Sequence, residues 1–300
     1  MSWSVVVPTF QRPALLATCV RAIAALQPPP DGFEIIVVND GGEDPPDAVR
    51  AAAVAGNTSL ARFVTQPNQG PGVARNHGAA IAQGQWLAFI DDDCAPDPSW
   101  LVVLDRALAS SPDALVGGAV HNALQRNLFS ETSQVLAEFV MDWFDGIDRE
   151  RFFTSNNIAL SRSAFQDAGG FDASLGSAAG EDREFCDRWH AGGRPSIREP
   201  RAIVHHSHDL TLRSFLRQHH AYGAGASLFR ALRRNTDRPL RIDLGFYAAS
   251  LRHAWRGRPP LRGAALASLT AAAHGAYVAG LAGARLRARR ATNSALDHQP

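Results

Sequence analysis

The stretch Gln85-Trp86-Leu87-Ala88-Phe89-Ile90-Asp91-Asp92-Asp93 decides the fold. Trp86–Ile90 runs apolar without a break, which predicts a strand buried on both faces. Three acids follow at its carboxyl end. In doubly wound sheets ligands gather at the carboxyl ends of strands. Working outward, Ser4–Pro8, Glu34–Asn39 and Arg62–Thr65 also predict strands, and the second is nearly all β-branched. Pro13–Leu26 carries apolar residues at helical spacing, and Pro71–Gln83 predicts a helix with Pro71 at its start and Gly84 as its C-cap. This alternation predicts an α/β fold with a mostly parallel central sheet flanked by helices.

The second half is less regular. Ala114–Val120 and Phe152–Leu160 predict strands, the latter rich in Asn and Ser and so near a polar ligand. Gly169–Gly180 predicts a mobile loop, Glu181–Ala191 a helix ended by Gly192-Gly193, and Arg201–His205 a last strand. From Thr211 onward the chain predicts helix, rich in Ala and Arg.

The 300 residues are 45% hydrophobic and 20% charged, which excludes a disordered chain, a collagen or a coiled coil. The three cysteines form neither a disulfide framework nor a CxxC zinc pattern and fit a reducing cytosol. Met1–Pro8 lacks the basic n-region of a signal peptide. All 30 basic residues are Arg; 14 face 25 acids in residues 1–200, and 16 face 4 acids in residues 201–300. The basic third points to an anionic contact or to a solvated helical tail. Gly263–Ala284 has no formal charge, but its Ala and Gly content favours a docked or interfacial helix over a spanning one.

Five places carry candidate chemistry. Asp91-Asp92-Asp93 repel one another unless a cation neutralises them, which suits Mg²⁺ or Mn²⁺; the alternative is a helix cap. Asp40 at a strand end could bind a nucleobase or ribose, or sit in an Asp-Gly turn. Arg75 could reach a phosphate or base, or form a surface ion pair. Glu181-Asp182 opens a helix after a Gly-rich loop, as a general base or as a dipole-favoured cap. His206 and His208 offer a His for a divalent ion; as a pair they are a weak zinc signal.

These pieces occur in an ordered series that resembles the inverting glycosyltransferases of family 2, of GT-A fold. The series is Val5–Arg12, with Gln11 where the family has Asn; Ile35–Gly41; Asn68-Gln69-Gly70; Ala74–Gly78; Gly84; Phe89–Asp93; Asn157–Leu160 through Gly169–Asp172; and Gly180–Phe185. It covers roughly residues 3–225. The resemblance implies a Rossmann-like GT-A domain over residues 1–210, with a nucleotide-sugar half (1–120) and an acceptor half (121–210), and a helical extension over 211–300.

It further implies that Thr9, Asp40, Arg75, Asp91 and Asp92 hold a nucleotide-sugar donor, UDP-linked by first choice. Asp93, Asp91 and His206 would take Mn²⁺ or Mg²⁺, with His208 as the alternative His. Asp182 becomes the base, with Asn157 and Glu181 on the acceptor side. The processive Q-x-x-R-W signature is absent and Gln218–Tyr222 stands in its place, so single or few additions are expected. A saccharide or lipid-linked acceptor, a role in cell-surface polysaccharide or glycolipid assembly, and a peripheral position on the cytoplasmic face of the membrane complete the expectation. No nucleic-acid partner is expected. The alternatives are a nucleotidyltransferase making an activated sugar, and a non-catalytic module for anionic surfaces. A dinucleotide oxidoreductase would need G-x-G-x-x-G after the first strand, where Pro8–Arg12 stands.

Overall fold

The computed structural model describes residues 2–58, 60–145, 151–175, 180–232 and 244–296, with side chains to 287. Two compact units emerge. The first comprises Met1–Ala123, Trp143–Ser177 and Glu181–His208; the second comprises Leu124–Asp142, Ala178–Gly180 and Asp209–Pro300.

The first unit is built on one eight-stranded sheet. Its strands are β1 (Trp3–Thr9), β2 (Phe33–Asn39), β3 (Leu60–Thr65), β4 (Trp86–Phe89), β5 (Cys94–Pro96), β6 (Leu115–Asn122), β7 (Ile158–Ser161) and β8 (Ser196–His206). The order is β3-β2-β1-β4-β7-β6-β8-β5. Pairs β1/β2, β1/β4, β2/β3 and β6/β8 are parallel; β4/β7, β6/β7 and β5/β8 are antiparallel.

Every residue of β1 and β2 is buried, as expected for strands covered on both faces. The two-residue period sends Val5, Val7, Ile35 and Val37 into one core, with Leu16, Ile23, Trp100 and Leu104. It sends Val6, Ile36 and Val38 into a second core, with Phe89, Phe171, Phe185 and Trp189. The covering helices are α1 (Pro13–Ala24), α2 (Asp47–Val54), α3 (Pro71–Ile81), α4 (Trp100–Ser110), α6 (Arg162–Asp167) and α7 (Glu181–Ala191). Pro13 and Pro71 both occupy the first helical turn, where a missing N–H costs nothing.

Two expectations need correction. Gly84 does not cap α3, which ends at Ile81 with Ala82 as its cap. A Cβ at Gly84 would lie 2.5 Å from the Trp3 carbonyl carbon, so this glycine lets the chain pass close to β1. Only the last residues of Phe152–Leu160 form a strand. Ser155–Asn157 turn as a 3₁₀ segment, with the Asn157 N–H on the Thr154 carbonyl and the Thr154 hydroxyl on Asn156. Within the expected loop Gly169–Gly180, Ala173–Leu175 form a 3₁₀ turn, and residues 176–179 lie outside the described residues.

The second unit is helical. It contains most of α5 (Leu128–Asp145), together with α8 (Leu212–Leu232), α9 (Leu244–Trp255) and α10 (Pro260–Leu296). Val135, Ala254 and Leu266 form a small core, and Phe139 packs on Phe246 with ring centroids 5.3 Å apart. Arg262 clamps Glu131 at 2.7 Å. Pro260–Arg287 is long and apolar enough to cross a membrane by length and composition, and only 22% of its most apolar window is buried.

Candidate functional site

The parallel strands deliver Thr9, Asp40 and the acids after β4 to one edge of the sheet. Asp92 is fully buried there, accepting 2.6 Å from the Thr9 hydroxyl on Oδ2 and pairing with Arg12 through Oδ1. Burial raises its carboxyl to about 7, against the pull of Arg12 and the Thr9 hydroxyl. Thr9 and Asp92 therefore hold each other, and Asp92 offers no exposed surface to a ligand.

Asp93 divides its two oxygens. Oδ2 accepts 2.8 Å from Arg12, while Oδ1 lies 3.3 Å from His206 Nε2 and 3.7 Å from Cys94 Sγ. Burial alone would raise its pKa, but the hydrogen bond and charge of His206, then Arg12, outweigh it and hold the group ionised. Burial in turn works to lower the His206 pKa, and Asp93 outweighs it, so His206 titrates above its ordinary value. His208 is shifted down by burial and by the charge of His206. One ligand atom each from Asp93, Cys94 and His206 lies within 4.8 Å of the others. An oxygen, a sulfur and a nitrogen converging beside the buried Asp92 fit a divalent ion.

Asp91 points elsewhere. Its Oδ1 accepts 2.6 Å from Arg75, which donates with its other terminal nitrogen to Glu181 Oε1 at 3.0 Å. Arg75 is 2% exposed and lies over the Phe171 ring at 5.6 Å. Burial opposes its charge, yet Asp91 and Glu181 more than compensate and raise its pKa. The bridge joins the end of β4 to the first turn of α7, where Asp182 sits. Burial, then the charge of Glu181, lifts Asp182 to about 7, while the Arg183 N–H at 2.7 Å opposes the shift.

Asp40 is 4% exposed and accepts three bonds: Gln66 Nε2 at 2.7 Å, the Gln69 N–H at 3.0 Å and the Gly70 N–H at 2.8 Å. Gln66 is itself fixed by His77 Nδ1 at 2.9 Å. This carboxylate shapes the turn before α3. Between the ends of β1 and β2 a cavity of about 340 Å³ opens, lined by Thr9, Gln11, Arg12, Asn39 and Gly42.

Asn157 does not join these groups. It is 1% exposed, with its amide nitrogen on the Ala119 and Ala202 carbonyls and its oxygen on Trp100 Nε1. It pins β6, β8 and α4 together. Sequence reasoning gave Arg12 no role of its own and left Cys94 out. Arg12 could have been found as the one cation beside the opening turn. Cys94 carried no sequence signal, because its partner His206 is brought opposite by the β5/β8 register.

Comparisons with known proteins bear on the family and the fold. The family model "Glycosyl transferase family 2" matches residues 4–169. A validoxylamine A glucosyltransferase of Streptomyces hygroscopicus subsp. limoneus is 29% identical over 64% of this chain and 48% of its own length. A pre-mycofactocin glycosyltransferase of Mycobacterium tuberculosis is 29% identical over 71% of this chain and 46% of its own. The chain thus spans about half the length of these curated relatives. A mannosyltransferase from Pyrobaculum calidifontis, solved with GDP-Man and Mn²⁺, superposes with a TM-score of 0.60 at 19% identity, covering 98% of this chain and 79% of that one. S. aureus TarS with UDP-GlcNAc superposes at 0.54 and 14% identity, covering 97% and 92%. These two likenesses establish the GT-A type fold. With a family match that runs from β1 past β7 and takes in the strand-end acids, the chain belongs to glycosyl transferase family 2.

Proposed function

We propose that the chain transfers a sugar from a nucleoside-diphosphate donor, UDP-linked by first choice, to an acceptor hydroxyl in one inverting displacement. The observation that carries this reading is the Arg75 bridge. It fastens the helix bearing Asp182 to the strand end bearing the acids, so a base and a donor-binding edge are held in one frame.

The chemistry follows from the side chains. A hydroxyl is a poor nucleophile until a base accepts its proton, and Asp182 is poised for that with a pKa lifted to about 7. The oxygen attacks the anomeric carbon, the bond to the diphosphate breaks, and the electron pair leaves with the phosphate. A Mn²⁺ or Mg²⁺ ion on Asp93 and His206, with Asp91 beside them, would supply positive charge to that leaving group. Thr9 borders the cavity proposed for the nucleoside, and Asp40 stands one residue beyond Asn39, which also lines it. Glu181 stays with Arg75 on the acceptor side. The absence of the processive signature supports single or few additions, and the proposed acceptor is a saccharide or lipid-linked sugar of surface polysaccharide or glycolipid assembly. The basic C-terminal third supports a peripheral position on the cytoplasmic face of the membrane.

The test is calorimetric donor binding and product formation on the same variants. Mn²⁺-dependent binding of a UDP-, GDP- or dTDP-sugar is expected, lost on chelation and in Asp93→Ala. Asp182→Asn should keep donor affinity and lower transfer by roughly 10²–10⁴-fold. Near wild-type transfer by Asp182→Asn would overturn the assignment of the base.

A further inference from the structure

We propose that Asp93, Cys94 and His206 form a binding site for a thiophilic divalent ion, Zn²⁺ fitting best, that fills without any nucleotide. The site shares Asp93 and His206 with the hard-ion position proposed above. Its distinguishing ligand is the thiol, which the hard-ion reading does not use.

The geometry comes from strand pairing. In the antiparallel β5/β8 ladder Cys94 stands directly opposite His206. The Ser207 N–H donates to the Asp93 carbonyl at 2.7 Å and the Asp97 N–H to the Ile203 carbonyl at 3.0 Å. Those bonds make Cys94–His206 a non-hydrogen-bonded pair, the kind whose side chains approach more closely. Asp93 then adds its Oδ1, 3.3 Å from His206 Nε2 and 3.7 Å from Cys94 Sγ. Bonds of about 2.0–2.3 Å around tetrahedral zinc place ligand atoms about 3.3–3.6 Å apart. Two of the three separations already approach those edges, and the third, sulfur to imidazole, lies within 4.8 Å.

Arg12 occupies Asp93 Oδ2 and leaves Oδ1 to the site. The His206 side chain is 20% exposed, which leaves a side from which an ion can enter and a fourth position open. Asn156 Nδ2 lies 3.8 Å from the sulfur and orients it. Sulfur and imidazole ligands favour zinc and cobalt over magnesium. On binding, the thiol proton passes to solvent and a sulfur–metal bond forms. An ion there occupies Asp93 and His206, and so competes with the hard ion of the transfer reaction.

The test uses Co²⁺ and Zn²⁺ alone on the full chain, with no donor or acceptor, so its failure leaves the proposed transferase reading untouched. Co²⁺ should give the near-ultraviolet sulfur-to-cobalt charge-transfer band of a thiolate ligand. One equivalent of Zn²⁺ should abolish the band and excess Mg²⁺ should not. The chain has three cysteines, so the double variant Cys19→Ala, Cys186→Ala leaves Cys94 as its sole thiol and should retain the band. Cys94→Ser should lose it, and His206→Gln should weaken Zn²⁺ binding by roughly 10²-fold or more. No charge-transfer band in the folded wild type, or none in the sole-thiol chain, overturns the site. So does wild-type Zn²⁺ affinity in His206→Gln.

Discussion

Arg75 and Glu181, 106 residues apart in sequence, meet at 3.0 Å in a nearly closed environment. The same guanidinium holds Asp91 at 2.6 Å, so one cation compensates two carboxylates, with Asp182 close behind.

Arg75→Met should destabilise the protein by about 3–5 kcal/mol, the cost of leaving buried charge without its partner. Arg75→Lys keeps the charge but loses the two-pronged fork, and its stability should fall between wild type and Met. Urea unfolding of the three proteins checks the order.

The raised pKa of Asp182 has two pH signatures. Transfer should rise with pH through about 7, since the base works only when ionised. Stability should move the other way. The folded pKa lies above the ordinary value of 3.8, so the folded state binds the proton more tightly. That contribution is fully present below pH 4 and is lost as pH rises through about 7. Asp182→Asn should therefore melt a few degrees above wild type at pH 8, on the order of 2–4 °C per kcal/mol, and match it at pH 4. Calorimetric melts at the two pH values decide it.

Gly84→Ala should cost about 1–3 kcal/mol, because the new methyl meets the backbone of Trp3 and Ser4 rather than a flexible side chain. Donor affinity should not change, since Gly84 lies at the other end of β1. Chemical denaturation and a donor titration separate the two effects.

The full chain should bind vesicles rich in anionic lipid at low salt and release them at high salt. The basis is the 16 Arg and 4 acids of residues 201–300 beside the exposed Leu261 of α10. Indifference to such vesicles at low salt would refute the membrane contact; retention through high salt and carbonate would point to a spanning helix.

Local patterning made much of this protein legible in its sequence. β1, β2 and β4 are apolar runs with few other readings, and α7 begins and ends where Glu181 and Gly192 signal it. β5 was hidden because three residues, Cys94–Pro96, carry no period. α5, Leu128–Asp145, was hidden because its start is marked only by Asn127, which accepts from the Phe129 and Ser130 N–H groups, and a lone Asn reads equally well as a turn. In the site, adjacency along the chain was readable and adjacency across it was not. Asp91–Asp93 were visible as a run. That Asp91 turns to Arg75, Asp92 to Thr9 and Asp93 to His206 depends on which strands stand side by side. Asn157 was misplaced for the same reason: its polarity suggested a ligand, whereas the sheet consumes all of it.

Arg12 gives the acidic edge a built-in counter-ion. With its guanidinium on Asp92 and Asp93, the apo protein need not tolerate bare carboxylates at the strand end. A divalent ion taken on the other oxygen of Asp93, as proposed above, would add to that counter-ion rather than replace it. Metal titrations of the wild type would then read an edge whose carboxylates Arg12 has already partly neutralised.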